Sequence, residues 1–479
     1  MQSPRVIARR RSLATLTAAA CLLASAGAAS SCADDAAQVS TSEVPKPART
    51  AVPSSPPAAD DAGAPALATF DVAGRVVDDL DGAIVGRPLT VVDGRGKRQE
   101  LITDEDGGFH AMGVLPPYDV MVEQAPSGPV ITPLLFLGIR RSDPRLEVFE
   151  RQGTTSRPST QPIRIGVKLP PCRATEGSCW VSVVSVSPSG GGGTAGSYVD
   201  GTDHAVYDLD HNWREATVRP AETIDVHVLV GDAEYTQYAY AHLTRLPVHP
   251  GEPSDLGVVV PAPVGSTEPV SVSGHTNGLP EGWQWTLATQ LELSGGAAMS
   301  LRYDWSAASS MRLPDLPGAT WRVGAWAQHP PTPDRPYFHR SSQAWSGTLP
   351  LTTSNVAIDV PSAPEPIRPG LEGTLSRHAA GLAWDGQTPA LASVVLVDLV
   401  RGKQRFRAFT AEPQISLRRL EALGLPRLEP GEHVFDLTTT PGAIVDELTD
   451  PDDHARRSRT DIRVPGATTY QRFRFVVTQ

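Results

Sequence analysis

Three sets of side chains in this 479-residue chain have types and spacings that could do chemistry. The first is His249-Pro250-Gly251-Glu252, an H-x-x-E pair. A histidine and a glutamate so spaced supply two ligands to a hydrolytic zinc, which still needs a third ligand, a general base and a catalytic domain around them. The pair lies just before the strand pattern Leu256–Val260 and no run of helices follows, so its context reads as a loop. The second set is acidic: Asp104-Glu105-Asp106-Gly107, and the group Asp200, Asp203, Asp208 and Asp210. Calcium takes about six to eight oxygens, and neither stretch holds a full EF-hand loop. Turn-forming acids account for the first stretch completely. The third set is aromatic. Six of the nine tryptophans, Trp283, Trp285, Trp305, Trp321, Trp326 and Trp345, fall in one short region. Trp283 and Trp285 share a strand face, whereas Trp321 and Trp326 differ by an odd number and point to opposite faces of a regular strand. An exposed aromatic face binds glycans or a protein partner; core packing is the competing expectation.

Cysteine adds two more features. Cys172 and Cys179 flank a loop-like Arg-Ala-Thr-Glu-Gly-Ser stretch, which reads as a small disulfide-closed loop in an oxidising compartment. Two sulfurs without a nearby histidine supply half a metal-ligand set, so no metal is expected there. At the N-terminus, Arg5, Arg9, Arg10 and Arg11 precede an apolar stretch from Leu13 to Ala29 that ends in small residues, the pattern of an export signal over residues 1–31. Ala29-Ser30-Ser31-Cys32 then resembles a bacterial lipobox, with Ala29 where leucine is usual. The resemblance implies lipidation at Cys32 and a membrane held through that lipid.

The composition limits the function classes. Net charge is −11, and removing residues 1–31 takes away four arginines and no acids, leaving −15. Such a chain is no nucleic-acid binder held by phosphate contacts. Gly 42 and Pro 45 are high for 479 residues and disfavour a helix-rich enzyme. Hydrophobic residues at 40% are enough for folded cores. No G-x-S-x-G, H-E-x-x-H or Walker pattern occurs, no cofactor is indicated, and Gly190–Gly193 has no following Lys-Ser or helix to bind phosphate.

The elements that must position these residues are strands. Residues 32–66, rich in Ala, Pro, Ser and Thr, read as a disordered linker. Beyond it, a proline followed by an alternating apolar strand recurs at Pro117, Pro220, Pro317 and Pro430, at separations of 103, 97 and 113 residues. A second marker, an alternating strand running into proline, recurs as Ile163–Pro170, Leu256–Pro261 and Val356–Pro361, with Phe473–Val477 of the same character. Taken as closing strands, these divide the chain into β-sandwich modules over 67–171, 172–264, 265–362 and 363–479. One short helix is expected over Leu417–Leu423, with Ser416 as N-cap and Gly424 as C-cap.

The first module carries a family resemblance. Gly74-Arg75-Val76-Val77-Asp78, Gly82-Ala83-Ile84-Val85-Gly86, Leu89-Thr90-Val91-Val92, Thr103-Asp104-Glu105-Asp106-Gly107-Gly108-Phe109 and Gly113–Tyr118 resemble the carboxypeptidase-regulatory-like domain, a transthyretin-like β-sandwich. The resemblance implies an accessory module of exported surface proteins, with no catalytic residues of its own. The expectation is therefore an all-β, lipid-anchored envelope protein of four tandem β-sandwich modules, structural or adhesive in role. A carbohydrate- or protein-binding lipoprotein centred on the tryptophans is the alternative, and a zinc hydrolase the weaker one.

Overall fold

Period-2 alternation becomes strand through most of the computed structural model. It describes residues 68–78, 82–123, 132–148, 160–169, 178–188, 192–200, 202–212, 223–247, 253–275, 283–329, 333, 338–386, 390–450 and 467–479. The export signal, Cys32, the linker, Cys172 and the His249–Glu252 pair lie outside the described residues.

The first unit contains β1 (Phe70–Val77), β2 (Pro88–Val92), β3 (Arg98–Ile102), β4 (Gly108–Val114), β5 (Tyr118–Glu123), β6 (Pro133–Ile139) and β7 (Arg145–Glu147). The second contains β8 (Thr160–Lys168), β9 (Ser178–Val186), β10 (Gly192–Asp200), β11 (His204–Asn212), β12 (Thr223–Asp232), β13 (Tyr238–Pro247) and β14 (Ser254–Val259), with β15 (Ala262–Val264) added beside β13. The third contains β16 (Val270–His275), β17 (Gln284–Glu292), β18 (Ala298–Asp304), β19 (Ala308–Met311), β20 (Thr320–His329) and β21 (His339–Trp345). It ends with β22 (Leu349–Pro350), a short partner of β20, and β23 (Asn355–Asp359). The fourth contains β24 (Pro366–Arg368), β25 (Thr374–Ser376), β26 (Gly381–Trp384), β27 (Ala390–Asp398), β28 (Lys403–Thr410), β29 (Gln414–Ser416), β30 (Gly431–Pro441) and β31 (Ala467–Thr478).

The pairing is one topology repeated. With the short β22 left out of the count, in units one to three the first strand pairs antiparallel with the fourth and parallel with the seventh. The other four strands form a sheet in the order third, second, fifth, sixth: β3-β2-β5-β6, β10-β9-β12-β13 and β18-β17-β20-β21. Unit four repeats this sheet as β28-β27-β30-β31, and β24 takes the seventh strand's edge on β26, antiparallel. With β26 counted as the first strand of unit four, the proline-preceded marker falls on the fifth strand of every unit: β5, β12, β20 and β30. The second marker does not keep step. Of the segment 163–170, expected to close the first module, residues 163–168 fall on β8, which pairs with β11 and β14 and so opens the second unit. The Leu256 and Val356 segments are seventh strands, and the C-terminal segment is the sixth.

The units do not stay separate. β21 pairs antiparallel with β31 from His339↔Arg472 to Ala344↔Ala467. β28 pairs parallel with β6 from Arg407↔Leu134 to Thr410↔Leu137. One sheet therefore runs β18-β17-β20-β21-β31-β30-β27-β28-β6-β5-β2-β3 through units three, four and one. In unit two, β10 and β11 meet at Gly192↔Asn212, joining its two layers into an eight-stranded sheet wrapped on its own core.

The cores follow the same pattern. Trp180, Leu229, Tyr235 and Tyr238 of unit two pack with Leu287, Met299, Leu313 and Trp321 of unit three. Met121, Leu135 and Leu137 of unit one join the core of unit four, and Phe409, Ala443 and Val445 of unit four join that of unit one. β6 is apolar on both sides because Leu134 and Phe136 face its own unit while Leu135 and Leu137 face unit four. The expected helix forms as α1 (Leu417–Ala422), with Ser416 at its N-cap and Gly424 at φ 101° just past its end. It packs over unit one's sheet, where Arg419 grips buried Asp119 through Nε–Oδ2 at 2.5 Å and Nη2–Oδ1 at 2.6 Å. A second short helix, α2 (Val445–Leu448), lies beyond β30. From it, Asp446 Oδ1 accepts the Arg140 amide at 2.8 Å, and the Thr449 carbonyl accepts the Arg145 amide at 2.8 Å.

Candidate functional site

Alternation on β20 decides where the tryptophans go. Trp321, Val323, Ala325 and Ala327 face inward, while Arg322, Gly324 and Trp326 face outward. Trp321 is fully buried and its Nε1 donates to the Pro350 carbonyl at 2.9 Å, so it belongs to the core and not to a ligand platform. Trp285 is turned inward too. Its ring lies directly over Gly274 of the opposing sheet, where a Cβ would meet Cζ3 at 2.5 Å. Trp283 is half-buried, edge-on to His329 at 6.3 Å, with the Arg340 guanidinium 5.9 Å from its ring centre. Trp305 is 66% exposed in the turn between β18 and β19.

Trp326 and Trp345 come together on the outer face. Their ring centres are 5.0 Å apart in an edge-to-face arrangement. Both cover Gly324, where a Cβ would sit 2.6 Å from Cη2 of Trp326 and 2.8 Å from Cε2 of Trp345. The absence of a side chain at 324 is thus what lets the two rings settle on the sheet. Trp326 Nε1 donates to Gln343 Oε1. Arg322 lies 5.0 Å above the Trp345 ring, and its Nε donates to Gln290 Oε1 at 3.0 Å and pairs with Glu292 at 3.2 Å. Cross-strand register puts Tyr303, Ala288, Gly324 and Trp345 in one row over β18, β17, β20 and β21. The six tryptophans therefore divide into core, half-buried, outer-face and exposed-turn positions, and parity on β20 was the signal that separated Trp321 from Trp326.

Among the described side chains the acids do not converge. Asp104 Oδ1 accepts the amides of Asp106 at 3.0 Å and Gly108 at 2.7 Å, the self-capped turn expected of it. Asp203 pairs with His204 at 2.9 Å, while Asp208 and Asp210 project outward from β11. Among the described residues no group of three or more His, Cys, Asp or Glu side chains is placed to hold a metal.

Two polar contacts in unit two were not legible from spacing. Ser185 Oγ and His211 Nδ1 lie 2.9 Å apart inside the core, and burial lowers the His211 pKa to about 4. Both side chains are sealed from solvent, so the contact holds β9 to β11 and offers a substrate no access. His227, also fully buried, meets the Tyr240 hydroxyl at 2.7 Å and stacks on His242 at 4.2 Å. Burial first, and the neighbouring His242 second, lower its pKa to about 4. His242 Nε2 lies 3.3 Å from Asp225.

No protein-family model matches the chain, and no curated protein does. Among solved structures, the TIE protein of Bacillus anthracis is similar at 9% identity, covering 62% of this chain and 50% of its own, with a TM-score of 0.15. This chain thus spans half the length of that protein. The tip fimbrial protein of Porphyromonas gingivalis is similar at 8% identity over 40% of this chain and 79% of its own, TM-score 0.17. Two B repeat units of the collagen binding protein of Staphylococcus aureus show 9% identity over 77% and 92%, TM-score 0.12. Scores this low carry no argument, and the functional reading rests on the chain's own geometry.

Proposed function

We propose that the chain is a non-catalytic envelope protein, anchored by lipid at Cys32 in the outer membrane or at the cell surface, with a structural or adhesive role. The continuous sheet carries this reading: twelve strands from three units hydrogen-bond in one order. Interfaces between the units are filled by large apolar side chains, which suits a scaffold that resists bending and pulling. Two finer points belong to the same proposal. The first unit is a carboxypeptidase-regulatory-like domain, supported by its seven-strand order, the Asp104 turn, and Phe109 packed over Gly74. Cys172 closes a disulfide with Cys179, supported by Cys179 being buried and a half-cystine, not a free thiol.

The test is detergent phase partition of the protein expressed in an exporting bacterium. The wild type is expected in the detergent phase with a lipid mass increment, and Cys32→Ser in the aqueous phase without it. Equal partition and equal mass would sink the anchor. A second reading, adhesion through a bound carbohydrate or protein, is favoured by one observation, the half-buried Trp326–Trp345 pair on the outer sheet face.

A further inference from the structure

The outer face of units three and four has a chemistry unlike either core. Between β18 and β31 it carries Tyr303, Trp326, Trp345 and Tyr470, with Gln343 and Thr468 among them and Gln290 buried beneath. Tyr303 is 38% exposed, and Ala288 and Gly324 form the floor between the rings. No large aliphatic side chain interrupts this patch. Its charges are matched internally. Arg322 pairs with Glu292 at 3.2 Å, and Arg472 grips Asp436 through 2.6 Å and 2.7 Å contacts. Such a face has little net charge to offer an anion, a nucleic acid or an acidic lipid. The five strands from β18 to β31 span about 19 Å at the usual strand spacing.

We infer that this face, centred on Trp326, Trp345 and Tyr303, binds a neutral polysaccharide of β-linked pyranose rings. The inference rests on the adhesive part of the reading above and names its partner. Ring faces offer the negative quadrupole that a sugar's C–H face meets, and the half-buried Gln343 on β21 places an amide group beside them. Gly324 is the positioning residue, because the rings occupy the volume its side chain would need. Tyr470, its hydroxyl donating to Asp436 at 3.2 Å, extends the patch onto unit four.

The test uses the full-length protein in detergent, run on native gels containing glycol chitin or hydroxyethylcellulose, with heparin as an anionic control. The expected result is retardation by at least one neutral polymer and none by heparin. Tyr303→Ala and Trp326→Ala should each weaken that retardation about five- to tenfold. Tyr303 sits on the rim, so its variant keeps the test decisive if the Trp326 variant fails to fold. The bound polymer should also shield tryptophan fluorescence from iodide. Retardation by neither neutral polymer, or undiminished retardation of a folded Tyr303→Ala protein, overturns the inference. Retardation by heparin alone overturns it in favour of an anionic partner. Detergent partition is unaffected by any of these results, so failure here is distinct from failure of the envelope assignment.

Discussion

Acidification should loosen unit two ahead of its neighbours. His211 and His227 are fully buried there, each with its pKa lowered to about 4 from 6.5, chiefly by burial. Tyr240, His242 and Asp225 face His227, and Ser185 faces His211. Because the folded pKa is depressed, the unfolded chain binds more protons between about pH 6.5 and 4, and stability falls as pH falls through that window. Above about pH 6.5 the contribution is complete, and below about pH 4 nothing more is lost. At pH 5 each histidine costs about 2 kcal/mol relative to pH 8, roughly 4 kcal/mol for the two. That is about a thirtyfold change in local opening per histidine. Hydrogen exchange with mass spectrometry, corrected for the intrinsic pH dependence, would follow peptides from β9–β13 against peptides from β27–β31. The expectation is that protection falls selectively in β9–β13, and that His227→Phe removes about half of the pH sensitivity. An equal loss across all units, or an unchanged slope in both His227→Phe and His211→Asn, would refute the reasoning.

Two further outcomes follow from packing. Arg419→Ala leaves Asp119 buried without its bidentate partner and should cost about 3–5 kcal/mol, whereas the double variant with Asp119→Asn should recover much of that loss; urea unfolding of the single and double variants checks it. Trp321→Ala empties a fully buried site and should cost about 3–5 kcal/mol, while Trp305→Ala should stay within about 0.5 kcal/mol; thermal melts of the two separate core from surface.

What the sequence disclosed was local. Alternation in Phe473-Arg474-Phe475-Val476-Val477 predicts one buried face, and the burial along β31 alternates accordingly. The proline-preceded marker identified the fifth strand four times, and Ser416 with Gly424 bounded α1. What it concealed depends on pairing between strands far apart in sequence. Residues 163–170 and 256–261 look alike because both alternate and run into proline, yet the first lies on a strand paired on both sides that opens a unit and the second on an edge strand that closes it. The fusion of units one and four did leave a trace. Pro133-Leu134-Leu135-Phe136-Leu137 abandons alternation because both faces of β6 are covered, each by a different unit. The outer-face patch was half legible: parity set Trp321 and Trp326 on opposite faces, but only cross-strand register brings Trp345 and Tyr303 to the same floor.

The junction of β6 with β28 sets the order of events during synthesis. Residues 133–139 leave the ribosome long before residues 403–410, and the Asp119–Arg419 contact closes a loop of 300 residues. Until then the first unit carries a bare, apolar strand edge with an uncovered sheet face beside it, the kind of edge that recruits other chains. Long-range pairing of this sort is also slow. The N-terminal unit therefore completes last although it is made first, and the chain must be kept from aggregating until its own C-terminal unit arrives to cover it.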